Sequence, residues 1–160
     1  MAKGGKRKAA PGDVASNRQA AFRFHLLDRY ECGIVLTGTE VKSLREGKAQ
    51  LKDSYAAVRD GEIWLIGLYI PPYGPASREN HEPERPRKLL LHRAEIERLV
   101  SRTRERGLTL VPTRIYFTPD GSRAKIELAL ARGKDVHDKR ETIRTREMAR
   151  DVQRELRGAV

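Results

Sequence analysis

The clearest periodic signal lies between Arg123 and Ala131, where Ala124, Ile126, Leu128 and Leu130 alternate with Lys125, Glu127 and Ala129. A period of two sends successive side chains to opposite faces, so this run predicts a half-exposed strand. Phe22, Phe24 and Leu26 alternate in the same way and lead through Leu27–Glu31 into Gly33-Ile34-Val35-Leu36, a short apolar run suited to a buried strand. In Thr39–Arg45 the apolar residues Val41 and Leu44 stand three apart, which predicts one or two helical turns laid on that strand. Gly47 follows where such a helix needs a left-handed residue to stop. Asp53–Arg59 and Glu62–Ile70 read as two strands joined by Asp60-Gly61, the dipeptide that a type I′ hairpin turn favours. His92–Arg106 is the one well-marked helix, with a narrow stripe of Ile96, Leu99, Val100 and Thr103 and with Gly107 at its end. Leu108–Phe117 is a further strand, in which Pro112 marks an edge position or a bulge, and Thr118–Gly121 is a turn.

Three stretches lack such a pattern. Residues 1–15 are rich in Lys, Gly and Ala and predict a disordered basic arm. Ser16-Asn17 offers a cap for a short turn of helix over Arg18–Phe22. Pro71–Lys88 holds five of the eight prolines and predicts a long exposed loop. In the tail, 132–160, no Gly or Pro interrupts Lys134–Arg157, yet the apolar stripe is only Met148, Val152 and Leu156, with Ile143 to one side. That stripe is too thin to hold a helix on the body, so the tail is expected to be loose when free and to order on a partner. About six strands, one long helix and short helices predict a mainly β fold with α elements: a small OB-like barrel over 16–131.

Charge changes the picture from fold to partner. The 160 residues carry a formal net charge of +11 and a pI near 10.1, with 38% hydrophobic and 34% charged residues. Such an excess attracts a polyanion, either nucleic acid or an anionic membrane surface. It is concentrated outside the barrel centre: residues 1–29 hold seven Lys/Arg against two acids, whereas 30–70 hold five against six. A near-neutral core between basic flanks suits a protein that grips structured RNA. The single cysteine, Cys32, excludes an internal disulfide and suits a reducing cytosol, as a small buried thiol rather than a nucleophile. No window approaches a membrane span and the N-terminus lacks a secretory h-region, so a cytoplasmic protein is expected.

Candidate chemistry is sparse. His25, His81, His92 and His137 are scattered over a strand, a loop, a helix start and the tail, without metal-ligand spacing, a nucleophile triad or a phosphate loop. Neither an enzyme, a metal site nor a cofactor is expected. Glu31 can serve as a surface partner for a neighbouring Lys or Arg, or accept from a base amino group or a 2′-OH. Tyr73 and His81, among Arg78, Arg85, Arg87 and Lys88, can stack or contact phosphate, or simply belong to a solvated loop. Of Leu89-Leu90-Leu91, two are expected inside, and an extended run turns the third outward as an apolar contact.

Taken together, GIVLTGTEVKSLREGKAQLKDS (33–54), RKLLLH (87–92), LTLVP (108–112) and ARGKDVHDKR (131–140) resemble the SsrA-binding protein (SmpB) family, in order and with family-like spacing from about Asn17 to Arg150. The resemblance implies an OB-like barrel with a tail that becomes helical on the ribosome. It implies an adaptor that binds the tRNA-like domain of tmRNA (SsrA RNA) and brings it to stalled ribosomes for trans-translation. Its partners would be tmRNA and small-subunit rRNA, with elongation factor Tu and alanyl-tRNA synthetase reached indirectly through tmRNA. The family's tmRNA contacts fall on Asn17, Glu31 and Leu90, alongside basic residues of which Lys42, Arg45, Arg87 and Lys88 are the candidates. Its decoding-centre motif falls on Gly133, Lys134, His137, Asp138, Lys139 and Arg140. The sequence departs from the pattern at Ala21-Phe22, Cys32 and Asp135. A generic OB-type RNA chaperone or ribosome-assembly factor is the competing reading.

Overall fold

In the computed structural model, residues 12–75, 80–134 and 136–158 are described, with the side chains of 136 and 137 left out. Most of the predicted basic arm, residues 1–11, lies outside them. Among the described residues seven strands form one antiparallel sheet: β1 (Asp13–Ser16), β2 (Phe24–Ile34), β3 (Tyr55–Arg59), β4 (Glu62–Ile66), β5 (Arg87–Leu90), β6 (Leu108–Phe117) and β7 (Ala124–Gly133). Six of them close a ring in the order β6-β3-β4-β5-β2-β7 and back to β6, and β1 adds to β6 beside β3. This is the expected barrel. The additional strand is β1: Asp13 and Ala15, expected in the disordered arm, pair with Tyr116 and Ile115 instead, across a register shift at Val14. Closing a ring leaves part of one β6 edge unpaired, and four residues suffice to cover it.

Among the described residues four helices decorate the ring: α1 (Ala20–Arg23), α2 (Gly38–Arg45), α3 (Arg93–Thr103) and α4 (Val136–Gly158). α2 starts in a capping box, in which the Thr37 backbone N–H donates to Glu40 Oε1 at 2.9 Å and Glu40 reaches back across the first turn. Gly47 takes φ 75° behind it, as the pattern required. The β3–β4 hairpin has Arg59 opposite Glu62, with Asp60 at φ 52° and Gly61 at φ 72°, the positive pair of a type I′ turn. Pro112 sits inside β6, paired with Leu128 of β7 at a register shift and between the stretches that pair with β3 and β1, so a bulge accommodates its missing N–H.

One apolar core fills the ring. Leu44, Leu51, Ile63, Leu65, Leu68, Leu89, Leu99, Leu110, Ile115, Ile126, Leu128 and Leu130 are buried in it, and no described side chain of α4 belongs to it. Cys32 is buried among them, and that burial pushes its thiol pKa up to about 12, so it is inert. β7 runs two residues past the expected barrel limit at Ala131, because Arg132 and Gly133 still pair with His25 and Phe24. The tail after it is a continuous 23-residue helix. Its sequence of helix formers permits this even with Ile143, Met148, Val152 and Leu156 exposed.

Candidate nucleic-acid interface

Two side chains picked out in the sequence meet in one groove. It is an open groove of about 830 Å³ between β2, the end of β5, the start of α3 and the β6–β7 turn. Its apolar floor is Ile34, Leu36, Leu90, Leu91 and Phe117, and Arg29, Arg123 and Lys125 supply the cations. Leu90 is the outward leucine of the triplet, 51% exposed, while Leu89 is buried. Strand alternation puts it there, and Gly33 gives it room. Gly33 pairs directly with Leu90, and a Cβ at position 33 would stand 3.2 Å from the Leu90 Cβ. Glu31 lines the same groove and accepts a hydrogen bond from Tyr116 Oη at 2.6 Å. An apolar floor with basic walls and two carboxylates, Glu31 and Glu95, can hold unstacked bases while cations meet phosphate.

Beside Glu31 lies a network that fixes the charges. Glu127, opposite Glu31 across β2–β7, accepts from Thr113 Oγ1 (3.0 Å), Arg114 Nε (2.9 Å) and Arg29 Nη1 (3.2 Å). Burial alone would raise the Glu127 pKa, but these donors outweigh it and lower the value. Arg114 also donates to Asp13 at 2.9 Å, its guanidinium 4.2 Å from the Tyr116 ring centre. Partial burial opposes its charge, yet the two carboxylates win and raise its pKa.

The remaining predicted contacts scatter. Asn17 joins β1 to α1: its side-chain amide donates to Pro112 O at 3.1 Å and its backbone N–H to Thr113 O at 2.7 Å. It lines a second hollow of about 220 Å³ with Arg23, Asp53 and Tyr55, which shares no lining residue with the groove. Lys42 is exposed on α2, 5.7 Å from the Tyr73 ring centre. Arg45 lies 5.1 Å over the Phe117 ring and donates to Gly121 O at 3.1 Å, so it braces the β6–β7 turn that walls the groove. Lys88 donates to Glu62 at 2.7 Å.

Arg87 is a correction. Expected on RNA, it is fully buried, and its guanidinium is consumed by Glu40, Leu68 O and Pro83 O. In β5 the alternation puts Arg87 and Leu89 inward and Lys88 and Leu90 outward. His81, expected in a solvated loop, is also tied down, between Thr39 Oγ1 and Ile70 O, each at 2.9 Å. Arg78 lies outside the described residues.

The tail motif begins as a joint between barrel and helix. After Gly133, the Lys134 backbone N–H donates to Arg23 O, and its Nζ donates to Ala21 O and Thr142 Oγ1, each at 2.9 Å. Asp138 lies 3.1 Å from His25 Nε2. Arg146 stands 5.8 Å from the ring centre of Phe22, one of the residues that depart from the family pattern. Lys139 is half-buried, Arg140 is exposed, and His137 lies in α4 with its side chain outside the described residues. The groove residues Arg29, Arg123, Lys125 and Phe117, and Tyr116 behind Glu31, were not singled out from the sequence. Their signal was alternation, which puts 29 with 31 and 123 with 125 and 127 on the outer face.

Comparison with known proteins follows the same lines. The model of a family described as "SmpB protein" matches residues 14–158. An SsrA-binding protein of Desulforudis audaxviator is 55% identical over 145 residues, covering 91% of this chain and 94% of the relative. An SsrA-binding protein of Rhizobium etli is 54% identical over 157 residues, 98% of each chain. A chain in a solved structure described as "tmRNA-SmpB: a journey to the center of the bacterial ribosome" superposes with TM-score 0.67 at 48% identity, covering 84% of this chain and 96% of that one.

Proposed function

This chain belongs to the SmpB family, and from that premise we propose that it is an RNA-binding adaptor of trans-translation. It binds the tRNA-like domain of tmRNA and delivers it to stalled ribosomes that lack a codon in the A site. Its tail enters the decoding centre and the empty mRNA channel, and the nascent chain is then tagged and the ribosome released. The protein performs no catalysis itself and works in the cytoplasm. No helix among the described residues is long and apolar enough to cross a membrane.

The observation that carries this reading is the groove holding Leu90, Glu31, Arg29, Arg123 and Lys125 together. Leu90 and Glu31 contact the RNA, the cations neutralise its phosphates, and Asn17, Lys42 and Lys88 extend the contact beyond the groove. Arg45 acts through the turn it holds. On the small subunit, Gly133 and Lys134 set the direction of α4, and His137, Asp138, Lys139 and Arg140 lie near the decoding centre. The exposed arginines of α4 face rRNA phosphates.

The test is a gel-shift titration at physiological salt with tmRNA, an ordinary tRNA and an unrelated folded RNA. A preference for tmRNA that persists as salt rises is expected, because shape-specific contacts survive where pure counterion release does not. Equal binding to all three that melts away with salt would move the generic RNA chaperone to the front. In the same assay, Leu90→Ala should weaken tmRNA binding by about five- to tenfold, as expected of a central apolar anchor. Its thermal midpoint should stay within about 2 °C of the parent, since the side chain is half-exposed.

A further inference from the structure

We propose that Tyr116 is the positioning residue that holds Glu31 for RNA, by fixing one carboxylate oxygen and leaving the other to the groove. The inference rests on the adaptor reading and adds to it a residue that itself makes no contact with RNA.

Tyr116 does not line the groove, and Glu31 does. The two are joined across β7, with Tyr116 paired to Lys125 and Glu31 paired to Glu127. The Tyr116 Oη–H donates to Glu31 Oε2 at 2.6 Å, a short bond of the charge-assisted kind. Burial, and then the Glu31 carboxylate, push the phenol pKa up to about 12, so it remains a donor throughout the physiological range.

Without that bond, Glu31 has other choices. Arg29 shares its face two residues away, and Lys125 lies diagonally across the β2–β7 pair. Either could draw the carboxylate into a surface ion pair. Arg29 is instead engaged by Glu127, which Thr113 and Arg114 hold in place. The network thereby divides its charges: one carboxylate takes the arginines, and the other keeps a free oxygen. A carboxylate fixed in this way can accept from a base amino or imino group or a 2′-hydroxyl, which none of the surrounding cations can do.

The experiment is a double-mutant cycle in the full-length protein, with the tRNA-like domain of tmRNA as the probe. Tyr116→Phe removes only the hydroxyl and is expected to weaken binding by about fivefold, the range of one hydrogen bond. Its thermal midpoint and the salt slope of its binding should match the parent, because no phosphate contact is lost. In a Glu31→Gln background, Tyr116→Phe should cost nothing further, whereas a merely structural tyrosine would give the same loss in both backgrounds. Unchanged affinity in the single variant, or losses that simply multiply, would overturn the proposal while leaving the adaptor reading intact. A parent protein that shows no preference for the probe over unrelated RNA would remove both.

Discussion

Replacing Glu40 by glutamine is expected to lower the stability of the barrel by about 3–5 kcal/mol, the usual cost of removing one partner from a buried ion pair. Both Glu40 and Arg87 are 0% exposed. The carboxylate takes Arg87 Nε on one oxygen, and Arg85 Nη2 (2.5 Å) and the Thr37 N–H (2.9 Å) on the other. Arg87 continues to Leu68 O at 2.6 Å and Pro83 O at 3.1 Å, so α2, β5, the segment after β4 and the proline-rich loop meet on one guanidinium. Glutamine keeps the shape and removes the charge, leaving Arg87 cationic in an apolar interior. A drop in thermal midpoint on the order of 10 °C follows. Glu40→Gln with Arg87→Met should recover much of the loss, because an apolar pair of similar volume avoids the desolvation. A fall of only 1–2 °C in the single variant would count against the pair as a structural centre.

The same pair sets an acid limit. Burial by itself would raise the Glu40 pKa, but the Thr37 N–H, Arg85 and Arg87 reverse this and hold it below the usual carboxylate value. A lowered folded pKa gives stability that is fully present above the unfolded value and lost as pH falls through the folded one. Denaturant midpoints measured from pH 6 down to pH 2 should therefore fall steadily in the parent. In Glu40→Gln the starting value should be lower and the fall shallower.

These residues also mark where the sequence was legible. Period-two alternation found β7, and the Asp60-Gly61 dipeptide found its hairpin, because each depends on neighbours in the chain. Arg87 was assigned to RNA because a cation beside Lys88 in a basic protein suggests a phosphate contact. The alternation that turned Leu90 outward also turned Arg87 inward, where Glu40 waits 47 residues away. Such long-range pairing leaves no local signature. β1 was missed for a similar reason: Asp13–Ser16 is a strand because β6 has an edge to offer, and four residues carry too little periodicity to announce it. Glu31 and Leu90 came from resemblance and residue type. The groove that unites them depends on the β6–β7 turn, 30 residues beyond Leu90, and on the absence of a side chain at Gly33.

Ending the chain after Lys134 is expected to abolish tagging of stalled nascent chains while leaving affinity for the tRNA-like domain within about twofold of the parent, as for two sites without shared partners. The cut follows the strand: β7 runs to Gly133, and the Lys134 N–H closes on Arg23 O, so an earlier stop would strip pairs from the barrel. No described side chain of α4 enters the core, and the helix touches the body through contacts such as those of Lys134, Asp138 and Arg146. The barrel should therefore stay folded. Long-range attraction should hardly change either, since residues 135–160 carry seven Lys/Arg and six Asp/Glu. What disappears is a helix whose Ile143, Met148, Val152 and Leu156 are exposed, set among exposed arginines. Gel-shift and a reconstituted tagging assay on the same preparation separate the two roles. A truncated protein that still tags would place ribosome engagement in the barrel, and one that loses the RNA would place α4 in the RNA-binding surface itself.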